Sequence, residues 1–204
     1  MIKIAIVPKI IETYKKQFEL SVEKNLLDLL KKRLKFKNVE ILSHDSNLNK
    51  FNVFISSGGN NIKRFSKDPK DKIRNIFELK VIKQCIKKKS TYFGICYGAQ
   101  FVADFYGGVL NKNDFNSKKE HLVKFINNFN FIKDKKKMKV NSFHDYKIKK
   151  LNNNLVPYAI FEDDNSVEFF KHKYKNIYGI MWHPERFKKI SVTHQKLLKK
   201  ILCS

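Results

Sequence analysis

Cysteine is scarce in this sequence, with three in 204 residues, Cys85, Cys96 and Cys203. Their number is odd and their spacing suits no metal, so they fit a reducing compartment and a free thiol rather than a disulfide or thiolate-metal framework. Long apolar runs are missing too: no stretch reaches the roughly 18 residues of a membrane-spanning helix. The apolar start, residues 1–7, runs straight into Pro8-Lys9 and is too short for a signal peptide, so a cytoplasmic protein without membrane contact is expected. Acidic residues are few, 19 against 43 basic ones, giving a formal net charge of +24. Within that basic set arginine is nearly absent, confined to Arg33, Arg64, Arg74 and Arg186. Proteins that read phosphates and bases favour the guanidinium fork. The lysine excess therefore reads as a solvated surface, with no nucleic-acid partner expected, although its field would steer anionic substrates.

Glycine is also sparse, seven residues in all, and its placement carries information. Two glycines flank one cysteine in Gly94-Ile95-Cys96-Tyr97-Gly98-Ala99-Gln100, directly after the apolar Thr91-Tyr92-Phe93. This is the pattern of a sharp strand-to-helix turn that exposes a nucleophile, with glycines where side chains would collide. A helix N-terminus behind the thiol lowers its pKa, and the backbone N–H of Tyr97 is placed to bind a developing oxyanion. Downstream, the strand-like Ile177-Tyr178-Gly179-Ile180-Met181-Trp182 ends in His183-Pro184-Glu185. His183 is a candidate base and Glu185 a carboxylate to orient it. Cys96, His183 and Glu185 form the minimum set for acyl transfer through a thioester.

The remaining pattern alternates helix and strand, without internal repeats, as expected of one α/β domain over residues 1–204. At that length no added synthetase domain is expected. Strands are expected at 2–7, 39–42, 53–56, 120–126, 138–140, 158–161, 167–171 and 177–182. Helices are expected at 14–34, from an N-cap at Asp71 through Ile86, at 100–106 up to Gly107-Gly108, and at 192–202. Cys85 reads as core packing and Cys203 as a tail residue. His44, His121, His172 and His194 read as surface histidines.

The Cys96 elbow and the late His183-Pro184-Glu185 resemble class I (triad) glutamine amidotransferases and their γ-glutamyl hydrolase relatives. Ser57-Gly58-Gly59-Asn60-Asn61 is similar to the Gly-Gly-Asn turn of the hydrolase branch, and Val140-Asn141-Ser142-Phe143-His144 to its loop at the glutamyl end of the substrate. The four blocks fit in order and spacing across residues 2–187. The resemblance implies a flavodoxin-like three-layer α/β sandwich whose mostly parallel central sheet carries an antiparallel extension. It also implies that Cys96 attacks a γ-glutamyl carbonyl with His183 and Glu185 behind it. Gly59 and Tyr97 would then offer oxyanion N–H groups, while Gly58, Asn60, Gln100, Ser142, Phe143 and His144 bind the small-molecule γ-glutamyl substrate. Neither a metal nor an organic cofactor is implied.

Within the branch, Ile11-Glu12 with Tyr14, and Glu162-Asp163-Asp164-Asn165-Ser166-Val167-Glu168, are similar to the γ-glutamyl-CDP-amidate hydrolases of capsule phosphoramidate synthesis. The chain departs from them at Lys9, Asn61 and Tyr97, positions expected on the leaving-group side. Two alternatives stay open: a glutaminase subunit that supplies ammonia to a separate synthetase partner, and a basic binding protein without turnover.

Overall fold

The computed structural model describes residues 1–113 and 120–204. Its strands are, in chain order, Lys3–Val7 (β1), Lys9–Tyr14 (β2), Gln17–Ser21 (β3), Asn38–Ile41 (β4), Val53–Ser56 (β5), Thr91–Ile95 (β6), Val109–Lys112 (β7), His121–Phe125 (β8), Lys137–Val140 (β9), Tyr146–Lys150 (β10), Leu155–Phe161 (β11), Val167–His172 (β12) and Ile177–Ile180 (β13). The α-helices are Lys24–Asp28 (α1), Pro69–Lys88 (α2), Tyr97–Phe105 (α3) and Val192–Leu202 (α4).

The apolar segments β1, β5, β6 and β13 are buried almost throughout, the signature of strands covered on both faces. They form, with β4, the parallel half of a large sheet ordered β4-β1-β5-β6-β13-β12-β11-β8-β9. From β13 onward every pairing is antiparallel, with β10 joined to β12 and β7. Strand alternation distributes the core. Ile4, Ile6, Ile55 and Phe93 face Leu29 and Leu30 next to α1 and Leu198 and Ile201 of α4. Ala5, Val7, Phe54 and Tyr92 face Phe77, Val81 and Ile82 of α2 and Val102 of α3. The result is the three-layer α/β sandwich with an antiparallel extension that the resemblance implies.

Register brings the functional segments to one rim. Val7 pairs with Ser56, Ser56 with Gly94 and Gly94 with Gly179, so the carboxyl ends of four parallel strands are level. Lys9, residues 57–61, Cys96 and His183 all leave the sheet there, where open α/β sheets place their ligands.

The expected helix at 14–34 is corrected. Its first part is the second strand of a hairpin, in which β2 and β3 form a separate two-stranded sheet. Gln17-Phe18-Glu19-Leu20 alternates polar and apolar with the period of a strand, and Lys16 makes the turn at φ 66° while its N–H donates to Glu12 at 2.8 Å. Only α1 and a following π-helical turn, Leu29–Arg33, remain helical. The cap of α2 is Asp68, which accepts from Lys70 N at 3.0 Å with Pro69 behind it, not Asp71. β7 and β10 give no clear sequence signal, because their central residues Leu110 and Ile148 alone are buried in otherwise Lys- and Asn-rich stretches. The surface assignment holds for His44 but fails for His121, His172 and His194, which are buried. Cys85, on the buried face of α2, packs in the core, where desolvation raises its thiol pKa far above the ordinary range.

Candidate active site

Cys96 follows the last residue of β6 and precedes the first of α3, and it holds φ 52° and ψ −100°, a conformation that L-residues avoid. Such strain persists only where the surroundings enforce it. Here they do: a Cβ on Gly98 would stand 2.5 Å from Ser56 Oγ, and one on Gly94 would stand 2.3 Å from the Gly98 carbonyl carbon. The Cys96 N–H donates to Ile180 O at 2.8 Å, which ties the elbow to β13.

That neighbouring strand delivers His183. Its backbone is clamped twice by Asn141, whose Oδ1 accepts from His183 N and whose Nδ2 donates to His183 O, both at 2.8 Å. The imidazole Nδ1 lies 2.6 Å from Glu185 Oε1, and Cys96 is close enough to act on the ring's titration. Gly58 passes against the same ring so closely that a Cβ there would stand 2.4 Å from His183 Cε1. Burial alone would lower the His183 pKa, but the nearby Cys96, followed by Glu185, raises it to about 10. The imidazole therefore holds its proton at neutral pH.

Phe143 is half-exposed and meets the His183 ring edge-on at 5.7 Å, and the Arg186 guanidinium lies over Phe143 at 4.6 Å. Arg186 in turn grips Glu23 through Nε at 3.1 Å and through Nη2. That grip outweighs partial burial and holds the Glu23 carboxyl below its usual range.

Other candidate side chains are turned inward. Gln100 donates to Tyr146 O at 2.8 Å and so ties the elbow helix to the loop that contains Ser142 and His144. His144 Nδ1 lies 3.0 Å from Tyr146 O and its Nε2 lies 3.3 Å from Ser142 Oγ and 3.7 Å from Glu168. Desolvation keeps His144 below its ordinary pKa and hence neutral. The Tyr146 carbonyl then accepts from Nδ1–H and the Ser142 hydroxyl donates to Nε2. The Asn60 carboxamide is spent on the backbone of Ile10 and on Asp71, which leaves its main chain for any ligand.

Sequence reasoning misses a buried brace under the site. Arg74, fully buried, donates to Val7 O, Ser56 Oγ and Ser57 O at 3.0–3.2 Å, pairs with Glu78 at 2.9 Å and lies over the Tyr97 ring at 4.9 Å. Glu78 also accepts from Tyr92 Oη at 2.6 Å. One guanidinium thus touches both the Gly58-Gly59 turn and the residue after Cys96. A signal existed: two of only four arginines in a lysine-rich chain, Arg74 and Arg186, stand where a fork of donors is needed. Among the described residues no three His, Cys, Asp or Glu side chains converge as a metal set, and no helix is long and apolar enough to cross a membrane.

Residues 15–202 match the model of the glutamine amidotransferase class-I family, and the chain belongs to it. Among curated proteins it is 39% identical over 132 residues to the γ-glutamyl-CDP-amidate hydrolase of Campylobacter jejuni subsp. jejuni serotype O:2, a match over 65% of this chain and 61% of that protein. It is 34% identical over 95 residues to the glutamine-hydrolyzing GMP synthase subunit of Methanobrevibacter smithii, over 45% of this chain and 48% of that one. The matches thus span less than two thirds of either relative. Among solved structures, PurLQS from Thermotoga maritima superposes with a TM-score of 0.73 at 17% identity, covering 100% of this chain and 99% of that one, a likeness of fold.

Proposed function

We propose that this chain, acting as one catalytic unit over residues 1–204, hydrolyses a γ-glutamyl amide through a glutamyl thioester on Cys96. The observation that carries the reading is Cys96 at a strained elbow beside the strand that delivers His183, with Glu185 at 2.6 Å behind the imidazole. The Cys96 thiolate attacks the γ-carbonyl carbon, and oxyanion charge is received by the backbone N–H groups of Tyr97 and Gly59. The His183 imidazolium gives its proton to the departing nitrogen as the C–N bond breaks. The imidazole, now neutral, takes a proton from water, whose oxygen attacks the thioester carbon. Glutamate leaves, and the thiolate–imidazolium pair is restored. The 141–146 loop, held by Gln100, binds the glutamyl end, and the Gly58-Gly59-Asn60 turn lies against the reacting carbonyl between the two arms of the substrate.

The leaving group best supported is the CDP-amidate named for the Campylobacter relative. On that reading the reaction belongs to cytoplasmic synthesis of a phosphoramidate-decorated surface polysaccharide. A second reading, a glutaminase subunit feeding a separate synthetase, is favoured by the likeness to the Methanobrevibacter GMP synthase chain. Glutamate release by the isolated protein separates the two. Cys96-dependent turnover of γ-glutamyl-CDP-amidate, with glutamine poor, supports the hydrolase. Turnover of glutamine only on adding a synthetase supports the glutaminase. Cys96→Ala should abolish release in either case while leaving the circular dichroism spectrum and melting temperature near those of the parent. Retained activity would overturn the mechanism.

A further inference from the structure

Lys9 leaves β1 at the rim, opens β2 and is held against the oxyanion turn. The Asn60 side chain accepts from Ile10 N at 2.8 Å and donates to Ile10 O at 2.9 Å, which staples the start of the hairpin to that turn. The Lys9 stem lies over Gly59, with Cδ 3.0 Å and Cβ 3.5 Å from where a Cβ on Gly59 would stand.

The carboxylates around it are already engaged. Glu23, two residues beyond Lys9's ladder partner Ser21, is gripped by Arg186. Asp71 accepts from Asn60 and Asn61, and Glu185 holds His183. Among the described residues the Lys9 ammonium has no carboxylate within 4.0 Å, and its charge acts on Glu23 only from farther off. A half-buried cation beside the reacting centre is thus left with its neighbouring anions occupied.

Sheet order says which part of a substrate it meets. The thiol follows β6 and the imidazole follows β13, whereas the 141–146 loop rises from the antiparallel half and Lys9 follows β1 on the opposite flank. The acyl arm and the leaving group diverge from the carbonyl carbon. With the glutamyl arm toward the loop, the leaving group runs toward the hairpin.

We infer that Lys9 is a specificity-determining residue that binds an anionic, phosphate-bearing leaving group and makes the site prefer such substrates to neutral γ-glutamyl amides. The inference rests on the hydrolase reading above. Its test compares the parent protein, Lys9→Met, Lys9→Arg and the remote control Lys87→Met on γ-glutamyl-CDP-amidate and on neutral γ-glutamyl-p-nitroanilide. Lys9→Met keeps most of the stem over Gly59 and removes only the charge. It should lower kcat/KM on the charged substrate by about 10- to 100-fold, mainly through KM, as expected for one charge-assisted hydrogen bond. The anilide should change less than about twofold, Lys9→Arg should restore most of the loss, and Lys87→Met should match the parent because a diffuse field is shared by many lysines. A parent preference for the charged substrate that survives in Lys9→Met overturns the role of Lys9 alone. Equal losses on both substrates also overturn it, showing that Lys9 only supports the turn. A parent protein silent on both substrates overturns the hydrolase reading and this inference together.

Discussion

Glu185 does more at the residue scale than point an imidazole. With Cys96 it raises the His183 pKa to about 10 against a burial that works the other way. An amide at this position keeps the shape and loses the charge. Glu185→Gln should therefore reduce kcat/KM by about 100-fold or more, in line with neutralised orienting carboxylates elsewhere. Removing a raising influence lowers the His183 pKa, so the alkaline limb of the kcat/KM profile should move to lower pH. A pH–rate series on both proteins checks the direction. This pair is legible in the sequence because two short motifs encode it. Asn141, which clamps His183 from 42 residues away, is not, since its partners are backbone groups brought near only by folding.

At the scale of elements, α2 acts as a brace. Its Arg74 reaches β1, β5 and the Tyr97 ring, and its Asp71 accepts from the Asn60-Asn61 turn. Arg74→Met leaves the Glu78 carboxylate buried without its cation and should cost about 3–5 kcal/mol of stability, measured by urea unfolding. Adding Glu78→Gln should recover part of that loss, because the uncompensated charge goes with it. The same scale shows where sequence reading stops. Four central strands and α4 announce themselves by buried runs and an amphipathic repeat, whereas the β2–β3 hairpin is mostly exposed and its leucine and phenylalanine positions fit two periods at once. Local pattern cannot decide such a segment. The Asn60 staple on Ile10 and the pairing of Lys9 with Ser21 decide it.

For the whole molecule, burial of histidines sets the acid limit. Desolvation holds His194 neutral, with a pKa of about 4 against an ordinary 6.5, and with nearby Lys175 and Lys171 it does the same for His172. Between those values the unfolded chain binds protons that the folded chain does not. Stability should fall as pH drops from about 6.5 to 4 and flatten in this respect below. His194→Gln should make that slope shallower without abolishing it, since His172 still contributes; chemical denaturation across the window measures both. Composition could not foretell this, because burial of these rings depends on contacts such as that of Phe187 with His194 at 4.7 Å.

The hairpin also has a consequence for how such a protein can diversify. β2 and β3 share no ladder with the large sheet, so residues can be exchanged or inserted beyond Ile10 without disturbing the strands that set Cys96 and His183. The strained thiol and its imidazole are fixed by glycine contacts that tolerate no added atom. Innovation is therefore open on one flank and closed at the centre, and, on the hydrolase reading proposed above, descendants of this fold can trade one departing group for another while inheriting the same acyl chemistry.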